Sequence, residues 1–268
     1  MIDSVSEAGH DLNNQLSAIL TIADLERKRA PAASQAAKAF ETICEAVRRA
    51  ASSVDALSGP SRDVRYLRDL MPTRDALLGE LEALCKRDGI PAVDPATGRF
   101  LGAMVSAMLA GSILELGTAY GYSALCMAYA QPETGRIWTI EPDRKRVSIA
   151  RGFFERAGMA SRIEIIEQPA LEVLPKLAHR QFDIVFIDAL KEEYADYLRL
   201  ALPHVKRSGL VIVDNLLWSH RAAAPPSDAD EASTKSIRRF NELFVNHPQL
   251  RATILPVGDG IGVGARIA

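Results

Sequence analysis

Residues 112–129, SILELGTAYGYSALCMAY, constrain the fold more than any other stretch. A short apolar strand, with Ile113, Leu114 and Leu116 around Glu115, runs into a glycine-rich turn from Gly117 to Gly121. An amphipathic helix is expected to begin near Ser123. Strand, glycine turn and helix N-terminus, in that order, let backbone N–H groups approach a ligand closely. The next apolar run, 136–140, leads into Glu141, and 141 − 117 places that acid 24 residues after the first glycine. An acid at that offset, at the tip of a second strand, suits hydrogen bonding to the two hydroxyls of a ribose. The glycines are spaced G-x-x-x-G, unlike the G-x-G-x-x-G of dinucleotide folds.

From there apolar runs and helical segments alternate. Strands are expected at 112–116, 136–140, 163–166, 182–187 and 209–214, with helices near 123–130, 143–157, 171–177 and 192–202. A last helix near 234–245 and strands at 251–257 and 261–267 complete the pattern. Continuous apolar strands alternating with helices predict an α/β domain whose parallel sheet is covered on both faces. In such a sheet the ligand crevice lies outside the carboxyl ends of the strands. The fourth strand ends FDIVFIDALKEEY, with Asp188 at its tip and Lys191 and Tyr194 just beyond. The fifth ends GLVIVDNLLW, with Asp214 and Asn215 at its tip. If these strands are neighbours, two carboxylates and an amide oxygen converge, a hard oxygen set suited to Mg²⁺ or Mn²⁺. Singly, each acid has a plainer reading as the cap of the helix that follows it. Lys191 would sit at a helix start, where the dipole disfavours a cation, and that local conflict favours a functional role.

The remainder of the chain sets the context. A net charge of −2 over 268 residues gives no global pull toward nucleic acid or membrane. Cys44, Cys85 and Cys126 are odd in number and far apart, as expected of reduced thiols rather than a disulfide frame or zinc site. No signal peptide is visible, and no apolar run approaches the ~20 residues that span a bilayer, so a cytoplasmic protein without a membrane partner is expected. Residues 3–57 read as two helices joined near Ala30–Ser34. Leu12, Leu16, Ile19 and Ala23 form one stripe, and Phe40, Ile43, Val47, Ala50, Val54 and Leu57 another. A hairpin with one narrow stripe buries little surface alone, so it is expected to pack on a second copy or on the main domain. SGPSRD, 58–63, has linker composition and marks the expected boundary. A helical span at 64–90 follows, with a break or fresh start expected at Pro72.

The pattern ELGTAYGYS with a downstream Glu resembles the first motif of class I S-adenosylmethionine (SAM) methyltransferases. Residues 64–268 resemble more narrowly the cation-dependent O-methyltransferases, the group that includes catechol and caffeoyl-CoA O-methyltransferases. The matching pieces are GIP at 89–91, ELGTAYGYS at 115–123, Glu141, FIDALKEEY at 186–194, VDNLLW at 213–218 and LPVGDG at 255–260. The resemblance implies a Rossmann-like sheet of seven strands, the last antiparallel, and a homodimer. It implies SAM as cofactor and Mg²⁺, or Mn²⁺ or Ca²⁺, held by Asp188, Asp214 and Asn215. Lys191 would be the base on a hydroxylated small-molecule acceptor. Glu141 would hold the SAM ribose, Glu115 and Gly117 would line the methionine side with Gly121 in the same turn, and Ser123, Ala170 and Asp188 would lie by the cofactor. Leu190, Gln168 and the run Ser219-His220-Arg221 depart from the family's usual residues, which leaves the acceptor open. Parts of the chain, with Arg180, Lys206, Arg238 and Arg239 as possible phosphate contacts, also resemble tRNA hydroxyuridine O-methyltransferases. GHDLNNQLSAI resembles the phosphoacceptor helix of histidine kinase dimerisation domains, where His10 would be the phosphorylated residue and Asp11 its neighbouring acid.

Overall fold

The computed structural model describes residues 2–31, 34–58, 62–71, 75–177, 179–224, 226 and 230–267. Within these, the side chains of residues 2–11, 13, 14, 17, 48, 51–58, 62, 63, 65 and 68 lie outside the description. The His10 and Asp11 side chains, residues 59–61 of the expected linker, and Pro72 therefore fall outside it. The chain divides into two compact units, Met1–Thr73 and Arg74–Ala268.

The first unit holds α1 (Ile2–Arg29), α2 (Gln35–Ser58) and α3 (Arg62–Asp69). Ala23 and Cys44 are buried, with Leu16, Leu20, Phe40 and Val47 half-buried. Leu12, Ile19, Ile22, Leu25 and Ile43 are exposed.

The second unit opens with α4 (Ala76–Asp88) and α5 (Pro95–Met108). Each starts on an aspartate whose carboxylate accepts two N–H groups of the first turn, Asp75 from Leu77 and Leu78, Asp94 from Ala96 and Thr97. Next come β1 (Ser112–Leu116), α6 (Tyr122–Ala130), β2 (Arg136–Ile140), α7 (Arg144–Arg156), β3 (Ile163–Ile166) and α8 (Ala170–Val173). The chain ends with β4 (Phe182–Ile187), α9 (Tyr194–Ala201), β5 (Val205–Val213), α10 (Ala232–Val245), β6 (Leu250–Leu255) and β7 (Ile261–Arg266). The sheet order is β3-β2-β1-β4-β5-β7-β6. β7 runs antiparallel to both neighbours, and the pairs from β3 through β5 are parallel.

Side-chain alternation divides the core between the two faces of the sheet. Leu114, Leu116, Val185, Ile187, Val211 and Val213 pack with the helices α8 to α10. Ile113, Ile137, Ile184, Phe186 and Ile212 pack with α4 to α7. Burial on both faces is what makes these strands continuous apolar runs. β1 lies between β2 and β4, so connections leave it in opposite directions, and that switch point opens the crevice.

Candidate functional site

Three adjacent strand tips carry the site. Past the end of each strand the ladder persists: Asp188 N–H donates to Leu116 O at 2.9 Å and Asp214 N–H to Ile187 O at 3.0 Å. This brings the turn after β1, Asp188 after β4 and Asp214 after β5 side by side. The turn, Asp188 and Asn215, the neighbour of Asp214, border a cavity of about 710 Å³, a size that suits a small-molecule ligand.

The wall beside the glycine turn is made mostly by backbone. Gly117 has φ 100°, and a Cβ there would stand 2.0 Å from the Asp188 carbonyl oxygen. Gly121 has φ 91°, and its Cβ would stand 2.4 Å from the Phe154 ring. Only glycine fits either position. Glu141, 4% exposed, accepts the Ala119 N–H at 2.9 Å and the Asp143 N–H at 3.1 Å. Its carboxylate thus fastens the glycine turn to the tip of β2 and still borders the cavity. Behind the turn, Glu115 is fully buried and accepts hydrogen bonds from Ser123 Oγ and Thr139 Oγ1, both at 2.5 Å. Burial pushes its carboxyl up to about 7, with the two hydroxyl bonds opposing and the Asp188 and Glu141 charges adding to the rise. Glu115 and Gly121 therefore stand behind the wall that Gly117, Ser123, Glu141, Ala170 and Asp188 form.

The opposite wall is made of charged side chains. Lys191 Nζ donates to Asp188 Oδ1 at 2.8 Å, to Asn215 Oδ1 at 2.7 Å and to the Tyr194 hydroxyl at 2.7 Å. The buried Tyr194 hydroxyl in turn donates to the Asp214 carbonyl at 3.2 Å. Asp214, 3% exposed, lies behind this cluster and accepts the Asn215 N–H at 2.8 Å. Its carboxyl is held well above the ordinary carboxylate range, first by burial and then by the Asp188 charge. Two carboxylates and an amide oxygen, one of the acids short of positive charge, fit a hard, oxygen-ligated divalent cation. Among the described residues no group of three or more His, Cys, Asp or Glu side chains comes together to hold a metal ion, so a cation here would need the Asn215 oxygen beside the two carboxylates.

Trp218 borders the same cavity, with Lys191 Nζ 5.8 Å from its ring centroid. Trp218, Ser219 and His220 all have left-handed backbone, with φ of 51°, 50° and 64°. Asp259, from the β6–β7 turn, accepts the Ser219 N–H at 2.6 Å and the Asn215 Nδ2–H at 3.3 Å. Leu190 lines the cavity and is 61% exposed, whereas Gln168 is exposed and His220 stands outside the lining.

Read as sequence, VDNLLW and LPVGDG give Trp218 and Asp259 no role, and Tyr194 stands out without being the partner of Lys191. Thr139 escapes notice too, since it pairs with Glu115 through a strand register that no spacing reveals. For Asp259 the available signal is the pair of glycines that flank it.

The chain is similar to known proteins along most of its second unit. The family model described as O-methyltransferase matches residues 75–267. A catechol O-methyltransferase of Niastella koreensis is 35% identical over 71% of this chain and 87% of its own. Caffeoyl-CoA O-methyltransferase 5 of Nicotiana tabacum is 35% identical over 63% of this chain and 75% of its own. The crystal structure of a Bacillus cereus O-methyltransferase in complex with SAH superposes with a TM-score of 0.68 at 31% identity, covering 75% of this chain and 96% of that one. A seven-stranded Rossmann-like sheet, a glycine turn fastened by Glu141 and these relatives lead to one conclusion: the chain belongs to the O-methyltransferase family and is a SAM-dependent O-methyltransferase.

Proposed function

We propose that this enzyme methylates a hydroxyl of a catechol-like small molecule with the help of a divalent cation, Mg²⁺ or else Mn²⁺ or Ca²⁺. Asp188, Asp214 and Asn215 hold the cation and Lys191 is the base. The observation that carries this reading is the position of Lys191 Nζ, bonded at once to Asp188, Asn215 and Tyr194. It stands in the cavity that the glycine turn and Glu141 also line. When bound, a divalent cation lowers the proton affinity of a ligated hydroxyl and fixes its direction. Lys191 would first release one of its own protons to solvent. The neutral amine would then accept the acceptor's hydroxyl proton at Nζ while the oxygen attacks the methyl carbon and the sulfur leaves with its bonding electrons. Tyr194 and Asn215 hold Nζ on the line of that transfer. The Trp218 ring offers a planar acceptor an apolar wall. Gly117, Ser123, Glu141 and Ala170 hold the methyl donor on the opposite side. Relatives named for catechol and caffeoyl-CoA support a hydroxylated small acceptor.

The tRNA reading finds less support. Arg238 donates to the carbonyls of Arg221, Ala222 and Ala224 and pairs with Asp230. Lys206 pairs with Asp183, and Arg180 lies over the Trp138 ring. The test is transfer of labelled methyl from SAM to catechols, monophenols and hydroxyuridine-bearing tRNA in Mg²⁺. Labelling of catechols above the other two is expected; labelling of tRNA alone would overturn the acceptor class.

For the first unit we propose pairing with a second copy through the exposed stripe of Leu12, Ile19, Ile22, Leu25 and Ile43, giving a homodimer. Light scattering at the mass of one chain would contradict it. Phosphotransfer to His10 concerns a side chain outside the described ones. A cytoplasmic setting accords with three free cysteines, Cys44, Cys85 and Cys126, and no described helix is long and apolar enough to cross a membrane.

A further inference from the structure

We propose that Asp259 is a positioning residue that fixes which end of the Asn215 amide faces the reaction site. The inference rests on the reading of Asn215 as a cation ligand. An amide offers an oxygen that accepts and an NH₂ that donates, and the two ends are nearly isosteric. Turned one way, Asn215 presents Oδ1 to the site; turned the other, it presents N–H groups that no cation can use. Asp259 fixes the NH₂ end, because a carboxylate can only accept. Its Oδ2 draws Asn215 Nδ2 to 3.3 Å, and Oδ1 of the same amide then faces Lys191 Nζ at 2.7 Å. The flipped amide would set oxygen against carboxylate and NH₂ against ammonium, two repulsions in place of two bonds.

The turn that carries Asp259 is built to deliver it. Gly258 and Gly260 flank it with φ of 55° and 90°. A Cβ on Gly258 would stand 2.4 Å from Asp94 Oδ2 and Thr97 Oγ1, and one on Gly260 would stand 2.6 Å from Leu217 N. The close approach lets Leu216 N–H donate to Gly260 O at 2.9 Å and Leu217 N–H to Asp259 O at 2.8 Å. The second carboxylate oxygen, Oδ1, accepts the Ser219 N–H at 2.6 Å and so steadies the left-handed run that sets Trp218 beside Lys191. Asp259 thus connects the amide that faces the cation site to the backbone that presents the aromatic wall. Its distance in sequence from Asn215 hides the pair from any local motif.

The test is an exchange of roles on the full chain. In Asp259→Asn, one acceptor becomes a donor, so either Ser219 N–H or Asn215 Nδ2 loses its partner and the amide is no longer held. Combining Asn215→Asp with Asp259→Asn restores the set at unchanged net charge. The amide, moved to the β6–β7 turn, accepts from Ser219 with its oxygen. Its NH₂ donates to the carboxylate that has taken the amide's former place at the tip of β5. Mn²⁺ affinity is read by electron paramagnetic resonance, SAH affinity by calorimetry, and folding by circular dichroism. The expected result is Mn²⁺ affinity about 10–100-fold weaker in Asp259→Asn, SAH affinity within a few-fold of wild type, and recovery of most of the Mn²⁺ loss in the exchanged pair. Wild-type Mn²⁺ affinity in Asp259→Asn, or an exchanged pair as weak as the single variant, would overturn the role of Asp259 alone. If Asp259→Asn does not fold, the exchanged pair still decides, since it must fold and bind Mn²⁺. Absence of Mn²⁺ binding by the wild-type chain would overturn the cation reading and this inference with it.

Discussion

The two walls of the cavity recognise by different physics. Beside the glycine turn the working surface is backbone: Gly117 with positive φ and a turn fastened to Glu141, backed by Gly121 and by one fully buried carboxyl, Glu115, capped by hydroxyls. On the opposite side it is charge: Asp188 and Asp259 near one lysine, with an amide between them and Asp214 buried behind. A backbone wall tolerates no added atom, whereas a charged wall tolerates change of shape better than change of charge. In the proposed reading the first wall holds the methyl donor, and the second carries the proton and the cation.

Substitutions can break that division of labour, and the largest effect belongs to the charged wall. Lys191→Ala removes the proposed base, so methyl transfer falls by about 10²–10⁴-fold, while SAH binds within a few-fold of wild type by calorimetry. Comparable loss of SAH affinity would mean the walls are not separate. The converse variant is Gly117→Ala. Its methyl would overlap the Asp188 carbonyl and hold alanine at a φ of 100°, a strain of about 1–3 kcal/mol. SAH affinity should drop about 10–100-fold, whereas unchanged affinity would show that the turn opens freely.

The smallest effect concerns the buried acid behind the turn. Glu115 is pushed up to about 7 from an ordinary 4.5, chiefly by burial. A carboxyl raised in the folded state supports the fold while protonated, so its contribution is complete below 4.5 and is lost as pH rises through about 7. Glu115→Gln cannot ionise. Its melting temperature relative to wild type should therefore climb by a few degrees between those two pH values. Parallel melting curves would show that Glu115 stays charged.

The donor wall was largely legible in the sequence, because local rules govern it. Gly117 and Gly121 announce the turn, and Glu141 follows at a spacing set by one strand–helix–strand unit. The strands from β1 to β4 fall where the apolar runs lie, since burial on both faces leaves no polar gap. β5 extends further back than expected, to Val205, because Lys206, Arg207 and Ser208 are exposed and hide the continuation. A register irregularity against β4 and a left-handed Ser208, φ 63°, let the chain pair through this polar stretch. The span expected at 64–90 divides into α3 and α4, with α4 restarted by the Asp75 cap. Asp188, Asp214 and Asn215 could be placed once strand ends were known, but Asp259 could not. Its contact with Asn215 depends on β7 entering the sheet beside β5, a fact of topology rather than of spacing. The first unit was legible as helices but not as a core, since Ala23 and Cys44 are the buried apolar residues among its described side chains.

The most direct test of the account is a single-turnover transfer of labelled methyl to catechol by the wild-type enzyme, in Mg²⁺ and after treatment with EDTA. If Asp188, Asp214 and Asn215 hold a cation that helps ionise the acceptor, the rate constant with EDTA is lower by at least about 10²-fold and returns when Mg²⁺ is restored. Equal rates with and without EDTA would contradict the account, leaving Lys191 to act without a metal.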